Sequence, residues 1–312
     1  TLLEVTGTQT GNLAANGKYY TDFNTIDEAR AYGDELNIEV ASEGFVLLKN
    51  QNNALPLSDT EKNITLFGYR SSRLQIVGGG SGAGDGTGHE WTLQESMEEA
   101  GFNVNERVLN YYAGVDNGDA LELDPDTYVS SIEGTFDFYG DAVLWTISRT
   151  GSEGKDLLTC EVPGHSDPTD HYLQLDDNEV KVYEYLKGLK QDGTIGKFIV
   201  IVNSANAFEL GDFQDDPDVD AIVWVGHTGN SGIAALGKIL NGEVNPSGHL
   251  VDTYPRDFTQ DPTWYNFGSY AQVGEDNYVY YDDNGTLTDS GYRAVEYREG
   301  IYFGYRWYET MA

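Results

Sequence analysis

A short polar loop, T-I-S-R-T-G-S-E-G-K-D at residues 146–156, follows an apolar run and carries four charged side chains. Glu153 stands in it between a serine and a glycine, and glycine lets the backbone turn sharply so that a carboxyl group can project. A projecting glutamate can act as a general acid or base if burial or a neighbouring carboxylate raises its pKa. The alternative, from the residues alone, is an exposed glutamate that pairs with Arg149 or Lys155.

A second candidate is the glycine-rich segment V-G-G-G-S-G-A-G at residues 77–84. Gly78, Gly80 and Ala83 match the G-x-G-x-x-G/A fingerprint of dinucleotide-binding folds. That fingerprint needs a helix that opens directly at the glycines, whereas the next helix signal is Thr92. Nucleotide binding is therefore disfavoured. The glycines are expected to let a ligand or another backbone segment approach closely.

The remaining side chains capable of catalysis give weaker signals. The five histidines show no metal-ligand spacing, and the single cysteine, Cys160, can form neither an intrachain disulfide nor a zinc site by itself. No G-x-S-x-G nucleophile elbow is present. We therefore expect no metal and no cofactor. His227 is the most informative histidine, because it follows a predicted strand at 221–225.

The charge of the chain is strongly unbalanced, with 52 acidic and 18 basic residues and a formal net charge of −34. Nucleic acid as a partner is excluded, because phosphate binding needs clustered Lys and Arg. The composition also disfavours anionic membrane surfaces. It is typical of an acidic, solvated surface, and we expect an extracytoplasmic rather than a cytoplasmic location. No window approaches the ~18 consecutive apolar residues of a membrane span.

Short apolar strands alternate with amphipathic helices. Runs such as 198–202 are apolar without alternation, which is typical of parallel strands buried on both faces. The predicted strands are 64–67, 142–147, 198–202, 221–225 and 249–253, with a further buried run at 45–48. The predicted helices are 25–41, 92–100, 105–113, 177–190 and 230–240. In the helix at 177–190, the residues predicted to face the sheet are Val180, Tyr183, Leu186 and Leu189.

These elements predict a three-layer α/β/α sandwich with a mostly parallel sheet, flavodoxin-like in general architecture. Three regions are expected: an N-terminal arm at 1–25, the sandwich at 26–257, and a Tyr-rich extension at 258–312. The extension is expected to consist of strands and loops that wrap the sandwich or lead to another domain. In such a sheet ligands bind at the carboxyl ends of the strands, where the loop of Glu153 begins.

Seven segments, in order along the chain, resemble the α/β-sandwich domain of glycoside hydrolase family 3, the β-glucosidase and β-xylosidase family. The segments are A-S-E-G-F-V-L-L-K-N-Q-N-N-A-L-P-L (41–57), I-T-L-F-G (64–68), G-G-G-S-G (78–82), T-L-Q-E-S-M-E-E-A-G-F (92–102), I-S-R-T-G-S-E-G-K-D (147–156), L-N-G-E-V-N-P-S-G-H-L-V-D-T-Y-P (240–255) and Y-R-E-G-I-Y-F-G-Y-R-W-Y-E (297–309).

The resemblance implies a retaining β-glycosidase mechanism that uses two carboxyl groups. Glu153 sits where many members carry the acid/base, in a loop that resembles S-G-E-G-x-D. The nucleophile would be an aspartate on a (β/α)₈ barrel domain of the same polypeptide. No segment of this chain resembles that barrel, so we expect the 312-residue chain to be inactive on its own. The implied substrates are oligosaccharides or other β-linked glucosides or xylosides.

The resemblance also implies roles around Glu153. Arg149 and Asp156 would orient the loop. Ser81 and Gly82, in the G-G-G-S-G segment, would lie beside the same cleft, and His227 would lie near the substrate.

Two departures from the family pattern leave an alternative open. Leu157 stands where members often have Arg, and H-T-G-N-S-G at 227–232 replaces the usual P-G-Q-x-G. The alternative is a non-catalytic carbohydrate-binding or packing domain.

Overall fold

The computed structural model describes residues 22–84, 88–118, 120–151, 153, 157–264, 279–281, 284–289, 297 and 299–311. The predicted N-terminal arm lies almost entirely outside these residues, and so does Asp156. Within the described residues, no helix is both long and apolar enough to cross a membrane.

A mostly parallel six-stranded sheet forms the centre of the molecule. The strands are β1 Val46–Asn50, β2 Asn63–Phe67, β3 Asn103–Val104, β4 Ala142–Arg149, β5 Lys197–Ser204, β6 Ala221–Trp224, β7 Val279–Tyr281 and β8 Leu287–Asp289. Strands β1 to β6 form the sheet in the order β1-β6-β5-β4-β2-β3. β1 is antiparallel to β6, and every other neighbouring pair is parallel. β7 and β8 form a separate antiparallel pair.

Helices cover both faces of the sheet. They are α1 Ile26–Gly44, α2 Leu93–Glu99, α3 Glu106–Gly114, α4 Val129–Ile132, α5 Phe136–Tyr139, α6 Asp177–Gln191, α7 Gly211–Asp215, α8 Ala234–Leu240 and α9 Tyr305–Met311. Alternate residues of the strands point to opposite faces. Leu144 therefore joins the core beneath α1, α2 and α8, while Trp145 joins the core beneath α4 to α7. This is the predicted three-layer sandwich.

Local sequence explains where the longer helices begin. The Thr25 side chain accepts a hydrogen bond from the Glu28 backbone N–H at 3.1 Å and so caps α1. Thr92 with Glu95, and Asp176 with Glu179, form reciprocal capping boxes at the starts of α2 and α6. Such caps satisfy N–H groups that have no partner within the helix.

The predicted strand at 249–253 is wrong. These residues have no regular secondary structure, and the side chain of Val251 is 97% exposed. β6 pairs with β5 on one side and with β1 on the other, and the run that forms β1 was predicted only as buried. An extra strand cannot be added where the neighbouring strand already has partners on both sides.

The predicted inward face of α6 is wrong at one position. Tyr183 and Leu186 are buried, but Val180 is 44% exposed. The helix is rotated so that Glu179 and Val182 face the sheet. The reason is that Glu179 forms an ion pair with a buried arginine at the end of β4.

The first residues of the extension after residue 257 pack against the sandwich. The Phe258 N–H donates to Glu209 Oε1 at 2.7 Å, and the Trp264 ring lies 4.9 Å from the ring of His171. Further along, Tyr308 Oη donates to Asp261 Oδ2 at 2.9 Å. Tyr308 belongs to α9, a helix that the sequence patterns did not predict.

Candidate functional site

The loops that follow β2, β4, β5 and β6 meet at one edge of the sheet, because these strands are parallel. Glu153 lies in the loop after β4, and its carboxylate reaches the glycine-rich loop after β2. Its Oε2 atom accepts hydrogen bonds from the Ser81 backbone N–H at 2.8 Å and from the Ser81 hydroxyl at 2.7 Å. The structure therefore brings together two of the residues that the sequence selected.

These hydrogen bonds hold the pKa of Glu153 below its ordinary value, the backbone N–H of Ser81 having the largest effect and its hydroxyl adding to it. Donors directed at a carboxylate favour the charged form. The side chain is exposed, so no burial opposes them strongly. By itself the site presents an ionised glutamate, and the role of a general acid would require a further influence that raises the pKa.

Gly80 makes the close contact between the two loops possible. Its φ is +60°, and a Cβ atom there would lie 2.5 Å from Glu153 Oε2 and 2.8 Å from Glu153 Cβ. Both the backbone conformation and the lack of space favour glycine. Ser81 and Gly82 complete the same 3₁₀ turn, Gly80–Gly82, but no atom of the described residues comes within 4 Å of a Cβ placed at Gly82.

Arg149, the last residue of β4, does not pair with Glu153, so the suggestion that Arg149 is the partner of an exposed Glu153 is wrong. Its guanidinium is 1% exposed and binds both carboxylate oxygens of Glu179, at 2.8 and 2.6 Å. It also donates to the carbonyl oxygens of Tyr172, at 2.6 Å, and Gln174. Lys155, the other suggested partner of Glu153, lies outside the described residues.

The contacts of Arg149 anchor the base of the Glu153 loop. The guanidinium fastens the segment around Tyr172 to the end of β4, and the Tyr172 hydroxyl in turn accepts a hydrogen bond from the Thr150 N–H at 3.0 Å. Gly151, the next residue, packs so closely on Asn206 that a Cβ would meet its Oδ1 atom at 2.5 Å. The Arg149 side chain therefore holds the start of the loop indirectly, through Tyr172.

A buried amide that the sequence analysis missed ties the four loops together. Asn203 on β5 accepts from the Gln75 N–H at 2.6 Å and donates to the carbonyl oxygens of Gln75 and Gly226 at 3.0 and 2.6 Å. The Gln75 side chain then accepts from the Thr150 hydroxyl at 3.2 Å. The only sign of this role in the sequence was that Asn203 is a polar residue directly after the apolar run 198–202.

His227 lies at the same edge of the sheet but does not contact Glu153. Its ring is partly buried, and its Nε2 atom has no hydrogen-bond partner among the described residues. Burial lowers its pKa, which favours the neutral imidazole. A neutral histidine with an unused nitrogen can accept or donate one hydrogen bond to a ligand hydroxyl.

Two buried carboxyl groups near this edge were also missed. Burial raises the pKa of Glu122 to about 8 and that of Asp176 to about 7. Glu122 Oε1 accepts from the backbone N–H groups of Tyr69 and Leu123, at 2.9 and 2.8 Å. In the sequence, Asp176 was notable only as the residue before a predicted helix. For Glu122 the only signal was its position between two leucines.

The comparisons with known proteins agree on one family. The model of the glycosyl hydrolase family 3 C-terminal domain matches residues 45–305. Beta-glucosidase A of Butyrivibrio fibrisolvens is 27% identical over 306 residues, which cover 89% of this chain and 32% of that protein. Exo-1,4-beta-xylosidase xlnD of Aspergillus niger is 24% identical over 256 residues, covering 78% of this chain and 28% of that protein.

A solved structure has the same fold. The structure of beta-glucosidase 3B from Thermotoga neapolitana in complex with glucose matches with a TM-score of 0.70 and 26% identity. The match covers 92% of this chain and 37% of that one. The chain thus spans about a third of the length of these relatives. The chain belongs to the glycosyl hydrolase family 3 C-terminal domain family, and its fold is the α/β sandwich of that family's β-glucosidases.

Proposed function

We propose that this chain supplies the general acid/base, Glu153, of a retaining β-glycosidase that hydrolyses β-linked glucosides or xylosides. The observation that carries the proposal is the position of the Glu153 carboxylate, exposed at the carboxyl edge of the sheet and held by Ser81 of the glycine-rich loop. A group in this position can reach a substrate, and its orientation is fixed before the substrate arrives.

The nucleophile in this proposal is an aspartate on a (β/α)₈ barrel domain of the same polypeptide. In retaining enzymes the two carboxyl groups stand about 5–5.5 Å apart. A second negative charge at that distance raises the pKa of the acid/base and offsets the lowering caused by Ser81. Protonated Glu153 would then give its proton to the leaving oxygen. As a carboxylate it would afterwards remove a proton from the attacking water.

The chain alone is therefore expected to be inactive towards aryl glycosides. Apolar side chains in the described part of the extension support a domain contact there, because large apolar groups are costly to leave in water. The most exposed of them are Tyr297, Ile301, Tyr305 and Met311. Sustained hydrolysis by the purified 312-residue chain would contradict this part of the proposal.

The decisive experiment is Glu153→Ala in the polypeptide that carries both domains. Aryl glycosides with good and poor leaving groups are compared, with and without azide. Loss of kcat/KM should be large only for poor leaving groups, because these need protonation by an acid. Azide should restore turnover and give a glycosyl azide, since the small anion can attack the glycosyl-enzyme without a general base.

The matched control is Glu90→Ala, which removes another exposed glutamate. It should leave both substrates unaffected. If Glu153→Ala behaves like this control on poor leaving groups, Glu153 is not the acid/base. The domain would then be a binding or packing domain, as the departures at Leu157 and 227–232 would suggest.

A further inference from the structure

The first residues of the extension, 258–264, lie against a buried histidine of the sandwich. The side chain of His171 is 2% exposed. The centroids of the His171 and Trp264 rings lie 4.9 Å apart, and the ring of Phe258 meets His171 edge-on at 5.7 Å. Ring pairs at such separations attract one another beyond what their buried area alone provides. His171 is therefore the group on which the start of the extension packs.

A carboxylate adds a polar link to this contact. Glu209 Oε1 accepts the Phe258 N–H at 2.7 Å and lies 3.0 Å from His171 Nε2. The Leu173 N–H donates to His171 Nδ1 at 3.2 Å, so Nδ1 is an acceptor and the proton of the ring is on Nε2, which donates it to Glu209. One carboxylate oxygen thus joins the backbone of the extension to the imidazole.

The residue next to His171 closes the loop that carries Glu153. The Tyr172 N–H donates to the Leu158 carbonyl oxygen at 2.9 Å, and the Tyr172 hydroxyl accepts from the Thr150 N–H at 3.0 Å. Thr150 and Leu158 stand on either side of Glu153 in the chain, so a single residue joins both ends of its loop. Joining the ends reduces the number of conformations open to the residues between them.

His171 and Tyr172 are held as one unit. The Gln174 N–H donates to the His171 carbonyl oxygen at 3.1 Å, and the His171 N–H donates to the Gln174 side chain at 3.0 Å. The Arg149 guanidinium fixes the Tyr172 carbonyl oxygen at 2.6 Å. Because closely packed segments transmit displacements instead of absorbing them, a shift of His171 also moves the residue that closes the loop.

We propose that His171 is a positioning residue for Glu153: it ties the Glu153 loop to residues 258–264, so that the seating of the extension sets the position of the Glu153 carboxylate against Ser81. The role of Glu153 as the acid/base is taken from the proposed function, on which this inference rests. The connection itself consists of contacts within this chain. Through it, a domain joined to the extension would influence the acid without touching it.

The first test measures the pKa of Glu153 in the 312-residue chain by carbon-13 NMR of labelled glutamate, with Glu153→Gln for assignment. Hydrogen bonds from Ser81 lower this pKa, so its value reports whether the carboxylate still lies against Ser81. Trp264→Leu removes the ring that packs on His171 and should raise the pKa. Trp264→Phe keeps an aromatic ring there and should give a value close to that of the wild type.

The matched control is Phe303→Leu, which removes another aromatic ring of the extension. The Phe303 ring packs on the guanidinium of Arg306, at 5.1 Å, so its loss should leave the pKa of Glu153 unchanged. A rise in this control equal to that in Trp264→Leu would mean that any disturbance of the extension moves the carboxylate. Transmission through His171 would then be refuted.

A double substitution tests whether the effect passes through the histidine. His171→Leu removes the contacts with both Trp264 and Glu209, so it should raise the pKa of Glu153 by itself. Adding Trp264→Leu to His171→Leu should give no further rise, because the connection is already lost. Additive rises would overturn the proposal. If His171→Leu does not fold, an unchanged pKa of Glu153 in the folded Trp264→Leu chain would overturn it alone.

Kinetics of the two-domain polypeptide separate this proposal from the previous one. Trp264→Leu should lower kcat for aryl glycosides with poor leaving groups, with little change in KM or in turnover of good leaving groups, because only protonation of the leaving oxygen depends on the position of the acid. If Glu153→Ala spares poor leaving groups while Trp264→Leu still raises the pKa of Glu153, the connection stands and the proposed function fails. If Glu153→Ala abolishes their hydrolysis while Trp264→Leu changes neither pKa nor kcat, the proposed function stands and the role of His171 is refuted.

Discussion

Arg149→Met is the substitution whose consequence the structure defines best. The guanidinium and the Glu179 carboxylate with which it pairs are each 1% exposed, and the pair is closed by two hydrogen bonds. Methionine fills similar volume but leaves a carboxylate buried without its cation. Breaking a buried pair in this way costs about 3–5 kcal/mol of folding free energy. The unpaired carbonyl oxygens of Tyr172 and Gln174 place the expected value at the upper end of that range.

The measurement is urea unfolding of the 312-residue chain, followed by tryptophan fluorescence. With a slope of about 3 kcal/mol per molar urea, a loss of about 5 kcal/mol lowers the midpoint by more than about 1.5 M. The control is Arg256→Met. Arg256 pairs with Asp215 at the surface, where the two side chains are 66% and 63% exposed. Solvent screening weakens such a pair, so its midpoint should move much less than that of Arg149→Met.

A double substitution tests the physical reason. If the cost in Arg149→Met comes from the uncompensated carboxylate, then adding Glu179→Gln should restore part of the lost stability, although Glu179→Gln alone destabilises the wild type. A coupling energy of this sign is the signature of a buried pair. Equal effects of Arg149→Met and Arg256→Met, or simple additivity in the double variant, would refute the reasoning. The ion pair would then contribute no more than a surface pair.

Three further predictions concern the buried carboxyl group of Glu122, two helix glycines and the hydrogen bond between Ser81 and Glu153. Because native Glu122, with its pKa of about 8, keeps a proton that the unfolded chain releases near pH 4.5, stability should fall with rising pH between these values, by up to about 1.4 kcal/mol per pH unit. The stability advantage of the wild type over Glu122→Gln, measured by urea unfolding, should therefore shrink by roughly 2–3 kcal/mol from about pH 5.5 to about pH 7.5; a constant difference would contradict the raised pKa. A Cβ at Gly237 would lie 2.1 Å from the Ser96 carbonyl oxygen, so Gly237→Ala should lower the thermal midpoint. Among the described residues no atom comes within 4 Å of a Cβ at Gly33, so Gly33→Ala should raise the midpoint by the equivalent of about 0.5–1 kcal/mol. A rise of the midpoint in both glycine variants would show that helix propensity outweighs the close packing at Gly237. Ser81→Ala removes one donor to the carboxylate and should raise the pKa of Glu153, as measured by carbon-13 NMR of labelled glutamate with Glu153→Gln for assignment; an unchanged pKa would mean that the hydroxyl does not bind the carboxylate in solution.

Local sequence was sufficient for most of the fold. The run 198–202 predicted a strand buried on both faces, because a strand without polar alternation has no face to expose, and β5 covers these residues. The Thr25 and Thr92 caps were visible in the sequence, since a capping side chain and the N–H group it serves lie within three residues of one another. Periodicity and caps depend only on residues close together in the chain, so they can be recognised without knowledge of the fold.

The site was predicted only in part, for the same reason. Glu153 and Ser81 were both selected, yet nothing in the sequence joins residues 72 positions apart by two hydrogen bonds. The pairing of Arg149 with Glu179 was not predicted. It depends on the rotation of α6, which places Glu179 inward and Val180 outward.

The sequence by itself determined the four central strands of the sheet, the family and the identity of the glutamate that the loop presents. The tertiary structure decided which groups surround that glutamate, where the edge strand pairs, and which carboxyl groups are buried deeply enough for their pKa to rise. The physical reason is the separation along the chain over which each interaction acts. Propensity, capping and periodicity act over a few residues, whereas desolvation, ion pairing and close backbone approach depend on distances between segments that only the folded chain brings together.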